Sequence, residues 1–324
     1  MKEVTRTAVP AQPTTHGMLP WVALGVVYVL WGSTYLSIRY VITTIPPLLA
    51  GGMRFLVGGT LLGLIVLVVA GRRAFRMTWP QFGTTALSGL LLPAWGNGLV
   101  TVAQQHVASG LAALLIASVP LYIVMFRAVT GDLPRRATVG GVAVGAIGLA
   151  LLVLVGPSGG SAGVVGSAWW GPPLVLLAGF GWAAGTFATT RLAVPPNPFA
   201  LAATQMLVGG VILLTVSLAM GDRLDVASVA PVSWWALGYM AVVVSLGAFS
   251  AYAYALSTLP VSTVATYAYV NPVIAVLLGV AIAGERFTVL QVLGGGIVLL
   301  AVVIVIAAER PTRNRRRELA ASGT

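Results

Sequence analysis

The 324-residue chain has no cysteine, two histidines and seven acidic residues. Without cysteine it can form no disulfide, no thiolate metal ligand and no thiol nucleophile. His16 and His106 are too few for a histidine-built metal site, and no other metal-ligand cluster, no phosphate-cradling glycine loop and no cofactor motif is present. The acids Glu3, Asp132, Asp222, Asp225, Glu285, Glu309 and Glu318 all fall in predicted tails or loops. Proton pumps and exchangers generally carry an ionisable carboxylate or histidine inside the membrane, so carboxylate-based coupling is not expected. Only His106, at the end of the third apolar run, could titrate near neutral pH. The string Gly156-Pro157-Ser158-Gly159 matches that of intramembrane serine proteases, but no histidine follows it to activate the serine. It reads as a turn, and no catalytic residue is assigned.

Charged residues make up 8% of the chain and hydrophobic residues 58%, a balance that no single soluble core could bury. The apolar residues come in runs of about 17 to 24, the length a helix needs to cross the hydrocarbon layer. We place ten of them at 19–38, 47–70, 81–104, 109–129, 137–155, 168–190, 199–219, 233–256, 260–281 and 288–308. Residues 1–18 read as a disordered tail with no removable signal, and 309–324 as a basic tail. Lys and Arg crowd one side of the spans: Lys2, Arg6, Arg72, Arg73, Arg76, Arg127, Arg135, Arg136, Arg191 and the cluster from Arg310 to Arg317. The other side holds Arg39, Arg54, Arg223 and Arg286. The asymmetry predicts ten spans with both termini cytoplasmic. The net charge of +11 thus points to anionic lipid headgroups and not to nucleic acid.

The two halves, 19–155 and 168–308, resemble one another. Leu111 to Leu133, with Pro120 and Gly131-Asp132, lies over Thr263 to Arg286, with Pro272 and Gly284-Glu285. Trp31 lies over Trp182, and Pro47 and Arg54 fall close to Pro198 and Gln205. A five-span unit that starts on one side ends on the other, so its copy must run upside down. The expected fold is therefore an all-α integral membrane protein of two inverted five-helix repeats, an arrangement that holds a site between its halves.

Polar side chains at helical spacing should face the bundle interior. Such stripes are Tyr28, Trp31 and Tyr35, with Thr34 beside them; Asn97, Thr101 and Gln104; Trp182, Thr186 and Thr189; Ser250, Tyr254 and Ser257; and Thr263, Tyr267 and Asn271. The fifth and tenth runs lack a stripe and read as scaffold. We take Trp31, Thr34, Tyr35, Asn97, Thr101, Gln104, Trp182, Tyr254, Tyr267 and Asn271 as candidates for a substrate cavity. The same stripes could instead join helices within a non-transporting scaffold or assembly subunit. Arg54 lies about 10 Å into the second run at 1.5 Å per residue. It either snorkels to headgroups or serves as a gate or anion contact. Pro93, Pro120 and Pro272 permit kinks, with Pro120 and Pro272 as matched hinges. Close helix approach is expected at Gly59/Gly63, Gly141/Gly145 and Gly181/Gly185.

Several segments together resemble the EamA family of the drug/metabolite transporter superfamily, and within it the YedA-like bacterial exporters. They are Trp31-Gly32-Ser33-Thr34-Tyr35, Pro46-Pro47 with Arg54-Phe55, and Gly96-Asn97-Gly98. Ser109-Gly110-Leu111-Ala112-Ala113 running to Val119-Pro120-Leu121, and Tyr267-Ala268-Tyr269-Val270-Asn271-Pro272 with Gly284-Glu285, complete the set. Asp132 departs from the Glu often found at its place in the family. The resemblance implies an inner-membrane exporter of amino acids, related metabolites or drugs, with a central cavity, no cofactor and no enzymatic role. Its partners would be a small molecule and the lipid bilayer, and a monomer would suffice because both repeats are on one chain.

Overall fold

The computed structural model describes residues 18–158, 168–259, 261–264 and 266–308; the predicted tails, apart from Met18, and Gly159 lie outside them. Every regular element among the described residues is helical. The spans are α1 (Leu19–Val41), α2 (Pro47–Ala70), α3 (Trp79–Ala103), α4 (Ser109–Val129), α5 (Arg136–Ser158), α6 (Gly171–Arg191), α7 (Pro198–Ala219) and α8 (231–258). They continue with α9 (Val261–Val264 and Tyr267–Ala283) and α10 (Val289–Ala308). The predicted spans recur with ends moved by a few residues. One correction concerns Gly156–Ser158, expected in a turn, which form the last turn of α5.

Local chemistry sets the helix ends. Asn197 Oδ1 caps α7 by accepting from the amides of Phe199 at 2.9 Å and Ala200 at 3.0 Å. Thr78 and Gln81 form a reciprocal capping box at the start of α3, and Thr288 and Gln291 do the same for α10. Two spans are interrupted. Pro120 has no N–H to offer Ile116, and α4 breaks between Ile116 and Val119, leaving Pro120 in the first turn of its second half. The break in α9 falls earlier in the matching frame, before Tyr267, so Pro272 lies within a continuous helical segment. The two prolines therefore sit differently relative to their breaks.

In the third span of each repeat a π-helical stretch appears at a matching level: Leu90–Asn97 in α3 and Tyr239–Ala248 in α8. Pro93 lies in the middle of the first, where its missing donor loosens the ladder. The second has no proline; Ser245 Oγ donates to the carbonyl of Met240 five residues back. π-Helical segments are rare and concentrate at functional sites.

Because the spans alternate, helix ends fall on two faces, here the near face, where α1 begins, and the far face, where it ends. Links between loops agree with the alternation. Arg135, at the near start of α5, donates to the carbonyl of Ala308 at the near end of α10, 2.9 Å away. Thr44, after α1, meets Ser233 at the far start of α8 at 2.9 Å.

Packing follows a two-fold pattern. The helices α5 and α10 pack against each other, as do α2 and α7. Other contacts gather α1 with α8 and α9, and in the same way α6 with α3 and α4, while α4 also meets α9. We call these groups the two lobes; each draws on both repeats. Small residues set the α2/α7 and α5/α10 crossings. A Cβ on Gly52 would lie 2.9 Å from the amide nitrogen of Leu214, and one on Gly210 would lie 2.9 Å from that of Leu56. A Cβ on Gly148 would lie 2.9 Å from both Val298 N and the carbonyl oxygen of Gly294. Of the predicted glycine spacings, Gly59, Gly141, Gly145, Gly181 and Gly185 all meet a neighbouring helix closely, and Gly63 only loosely.

Candidate functional site

Among the predicted cavity residues, an aromatic group forms where α1, α8 and α9 meet. The Trp31 ring lies 4.9 Å from Tyr267, edge-on, and 5.2 Å from Tyr252; Tyr252 and Tyr267 are 5.9 Å apart at 86°. Edge-to-face rings of this kind hold one another in place. Gly32 makes the approach possible, since a Cβ there would lie 2.7 Å from Ile274 Cβ and 3.1 Å from the carbonyl of Asn271. Toward the near face, Tyr28 hydroxyl bonds Thr266 Oγ1. Sequence reasoning missed Tyr252. It singled out Tyr254 from the polar stripe, whereas Tyr252, two residues earlier on α8, is the ring that meets Trp31. Tyr254 is about one third exposed.

The stripe on α3 behaves in part as expected. Asn97 closes the π stretch and makes only a 3.5 Å contact to the carbonyl of Leu92. Thr101 donates to the carbonyl of Asn97 within its own helix. Gln104 Nε2 reaches across to the carbonyl of Tyr35 at 2.9 Å, joining α3 to α1, while its Oε1 is buried with no partner among the described residues. Asn271 Oδ1 is likewise buried and unpartnered. Thr34 turns back on its own helix at Leu30, and its neighbour Ser33 bonds the hydroxyl of Tyr239 on α8 at 2.7 Å. Trp182 stands apart from the aromatic group, packed on α3, where a Cβ on Gly96 would lie 2.9 Å from its ring.

Arg54 does not snorkel. It is 8% exposed and faces inward, into a cavity of about 10 Å³ shared with Ile38, Val41, Phe55, Thr101 and Met240. That is room for roughly one water. No hydrogen bond or ion pair joins Arg54 to any described residue, and its Nε is buried without a partner. Its guanidinium carbon lies 4.9 Å from the Phe55 ring centroid. The repeat counterpart, Gln205, is satisfied instead, donating to Ser88 Oγ at 2.7 Å. A larger, shallow groove lies elsewhere, between Phe75, Met77, Trp79, Phe82 and Thr204 near the start of α3.

One acid set aside in the sequence proves to be structural. Glu285, just past α9, is 7% exposed. Gly284, at φ +62°, turns the chain so that the carboxylate points back at the start of α4. There Oε1 accepts from Ser109 N at 2.8 Å and Ser109 Oγ at 2.7 Å, and Oε2 from Gly110 N at 3.0 Å. Arg39, at the far end of α1, completes the set at 2.6 Å. The only sequence signal for this was the Gly284-Glu285 pair itself.

A profile of the EamA-like transporter family matches residues 19–154 and again 169–307. The chain belongs to this family. Its two repeats account for the matched spans, and the protein is a multi-pass membrane transporter. The uncharacterized inner membrane transporter YedA of Escherichia coli strain K12 is 37% identical over 276 residues, covering 85% of this chain and 86% of YedA. A probable terminal-alkyne amino-acid exporter of Streptantibioticus cattleyicolor is 29% identical over 243 residues, 74% of this chain and 75% of its own length. A crystal structure at 20% identity shares the fold, with a TM-score of 0.62 over 90% of this chain and 99% of that one.

Proposed function

We propose that this EamA protein is a secondary transporter of the inner membrane that exports a small organic metabolite by alternating access between its two lobes, without enzymatic activity. Both termini lie in the cytoplasm, so the near face is cytoplasmic and the far face is outside. The observation that carries the reading is a set of buried polar atoms without partners on the predicted site residues: Arg54 Nε, Gln104 Oε1 and Asn271 Oδ1. Buried polar groups are almost always paired, and leaving one unpaired costs about 1–3 kcal/mol, so several together imply something else to bind. Asn271 and the rings of Trp31, Tyr252 and Tyr267 offer an acceptor beside an apolar wall, which suits a cargo with an ammonium group and an apolar body. Arg54 supplies the opposite charge, for a carboxylate. The cargo class is thus a zwitterion such as an amino acid, in keeping with the exporter from Streptantibioticus. Trp182, Tyr254 and Asn97 flank the same route, and Pro120 and Pro272 let α4 and α9 bend as it opens.

The test is flux in proteoliposomes across amino acids, their amides and neutral drugs, with and without a pH gradient. Uptake of zwitterions that is lost in Arg54→Gln supports the reading. Equal transport of acids and amides removes Arg54 from it, and absence of flux for every compound favours a scaffold.

A further inference from the structure

The two faces of the molecule are not held together in the same way. In the far half the lobes are joined. Glu285 of one lobe binds the Ser109 and Gly110 amides of the other, and Gln104 of α3 bonds the backbone of Tyr35 on α1. Ile38, Val41, Leu49, Val100, Ala178 and Met240, from α1, α2, α3, α6 and α8, form one buried cluster across the divide. The approach is tight: a Cβ on Gly110 would lie 3.0 Å from Val276 Cα of α9. In the near half the aromatic contacts stay within each lobe, although Ala268 and Tyr269 of α9 also pack on the cluster that holds Leu114, Leu115 and Ala117 of α4. Trp31, Tyr252 and Tyr267 stack within one lobe, and Tyr122, Phe126, Phe180 and Phe187 within the other. The hydrogen bonds of Glu285 to Ser109 and Gly110, and of Gln104 to Tyr35, join the two lobes and all lie in the far half.

The repeat counterparts of the far-face groups make the contrast sharper. Asp132 follows Gly131, at φ +89°, as Glu285 follows Gly284. Asp132 is nevertheless bound at 2.7 Å by Arg127 of its own helix, with its side chain 47% exposed against 2% for Glu285. Arg191, which ends α6 as Arg39 ends α1, lies over Phe187 of its own helix. From this asymmetry we infer that Glu285, Arg39 and the first turn of α4 form the far-side gate of the carrier, latched in this structure, with no matching latch among the described residues of the near side. The inference rests on the carrier reading, since a gate presupposes passage. A buried carboxylate gripped by two amides, a hydroxyl and a guanidinium is a strong latch, because charge-assisted bonds in a dry site exceed neutral ones. It can also be released as a unit, since all four donors lie at helix ends that move with their lobes.

The native absence of cysteine allows single-cysteine reporters without background. Thr101→Cys sits behind the far seal, Thr186→Cys lies on the near side, and Val298→Cys, in the fully buried α5/α10 scaffold, reports unfolding. Each is probed with a membrane-impermeant methanethiosulfonate cation from one side of oriented vesicles. Glu285→Gln and Ser109→Ala should each raise far-side labelling of Thr101→Cys by about tenfold or more, the factor by which one charge-assisted contact across the lobes biases a two-state equilibrium. Labelling of Thr186→Cys from the near side should fall, and Asp132→Asn should change neither rate. Unchanged far-side labelling in both latch variants, or an equal rise in Asp132→Asn, overturns the inference. If Glu285→Gln also exposes Val298→Cys, then Ser109→Ala decides, because it removes a donor on the other lobe and leaves the carboxylate in place. Labelling needs no cargo, so a failed gate and a failed cargo assignment give different results.

Discussion

Replacing Arg54 by methionine should make the protein more stable and less able to carry anions. Arg54 is an inward-facing cation with no carboxylate beside it, walled by Ile38, Val41, Phe55 and Met240. Its unpartnered Nε alone costs about 1–3 kcal/mol, and an uncompensated buried charge adds more. Methionine keeps most of the stem's packing and removes both costs, and exchanges of buried ionic groups for apolar ones are worth up to about 4 kcal/mol. We expect a net gain of about 1–3 kcal/mol, seen as a rise of several degrees in the apparent melting midpoint. The assay is thermal unfolding of the detergent-solubilised protein, followed by size-exclusion chromatography, run beside flux of an anionic and a neutral cargo. A lower midpoint would show that Arg54 is a structural strut, and the reasoning would fail. A higher midpoint with undiminished anion flux would leave the energetics intact but remove the anion contact.

Other expectations follow from specific contacts. Gly148→Leu should destabilise the α5/α10 crossing by about 1–3 kcal/mol or more, because its side chain would meet backbone on α10; Gly140→Leu, with open space around it, should be close to neutral in the same melts. Tyr252→Ala should raise the apparent KM for cargo while Tyr252→Phe, which keeps the ring against Trp31 and Tyr267, stays near wild type; equal effects from both would point to the hydroxyl instead. In intact cells, Val226→Cys on the far face should react with an impermeant maleimide and Leu133→Cys on the near face only after permeabilisation, both positions being well exposed. The opposite pattern would reverse the assigned orientation.

Much of this molecule is legible in its linear order because a bilayer enforces simple rules. An apolar run of the right length must become a helix, since no other conformation satisfies the backbone in hydrocarbon, and ten runs with a five-run repeat lead to an inverted architecture. The polar stripes picked out residues on α1, α3 and α9, among them Trp31 and Tyr267, whose rings meet, and Gln104, which reaches the backbone of Tyr35. On α8 they selected Tyr254, whereas Tyr252, two residues earlier, is the ring that meets Trp31. They also separated Trp182 from Trp31 no more than their matching positions allowed, although the two rings pack on different partners.

Span number, repeat boundaries and the crowding of Arg on one face follow from composition and spacing, which are local properties of the chain. Whether a loop acid is solvated or buried is not local. Glu285 and Asp132 occupy equivalent places after equivalent glycines, yet one closes on Arg39, Ser109 and Gly110 while the other folds back on Arg127. Nothing in either segment distinguishes those outcomes, because the donors that grip Glu285 come from residues 176 and 246 positions away in the chain. The difference is decided by which pair of helix ends the packing brings together, and only the folded bundle contains that information.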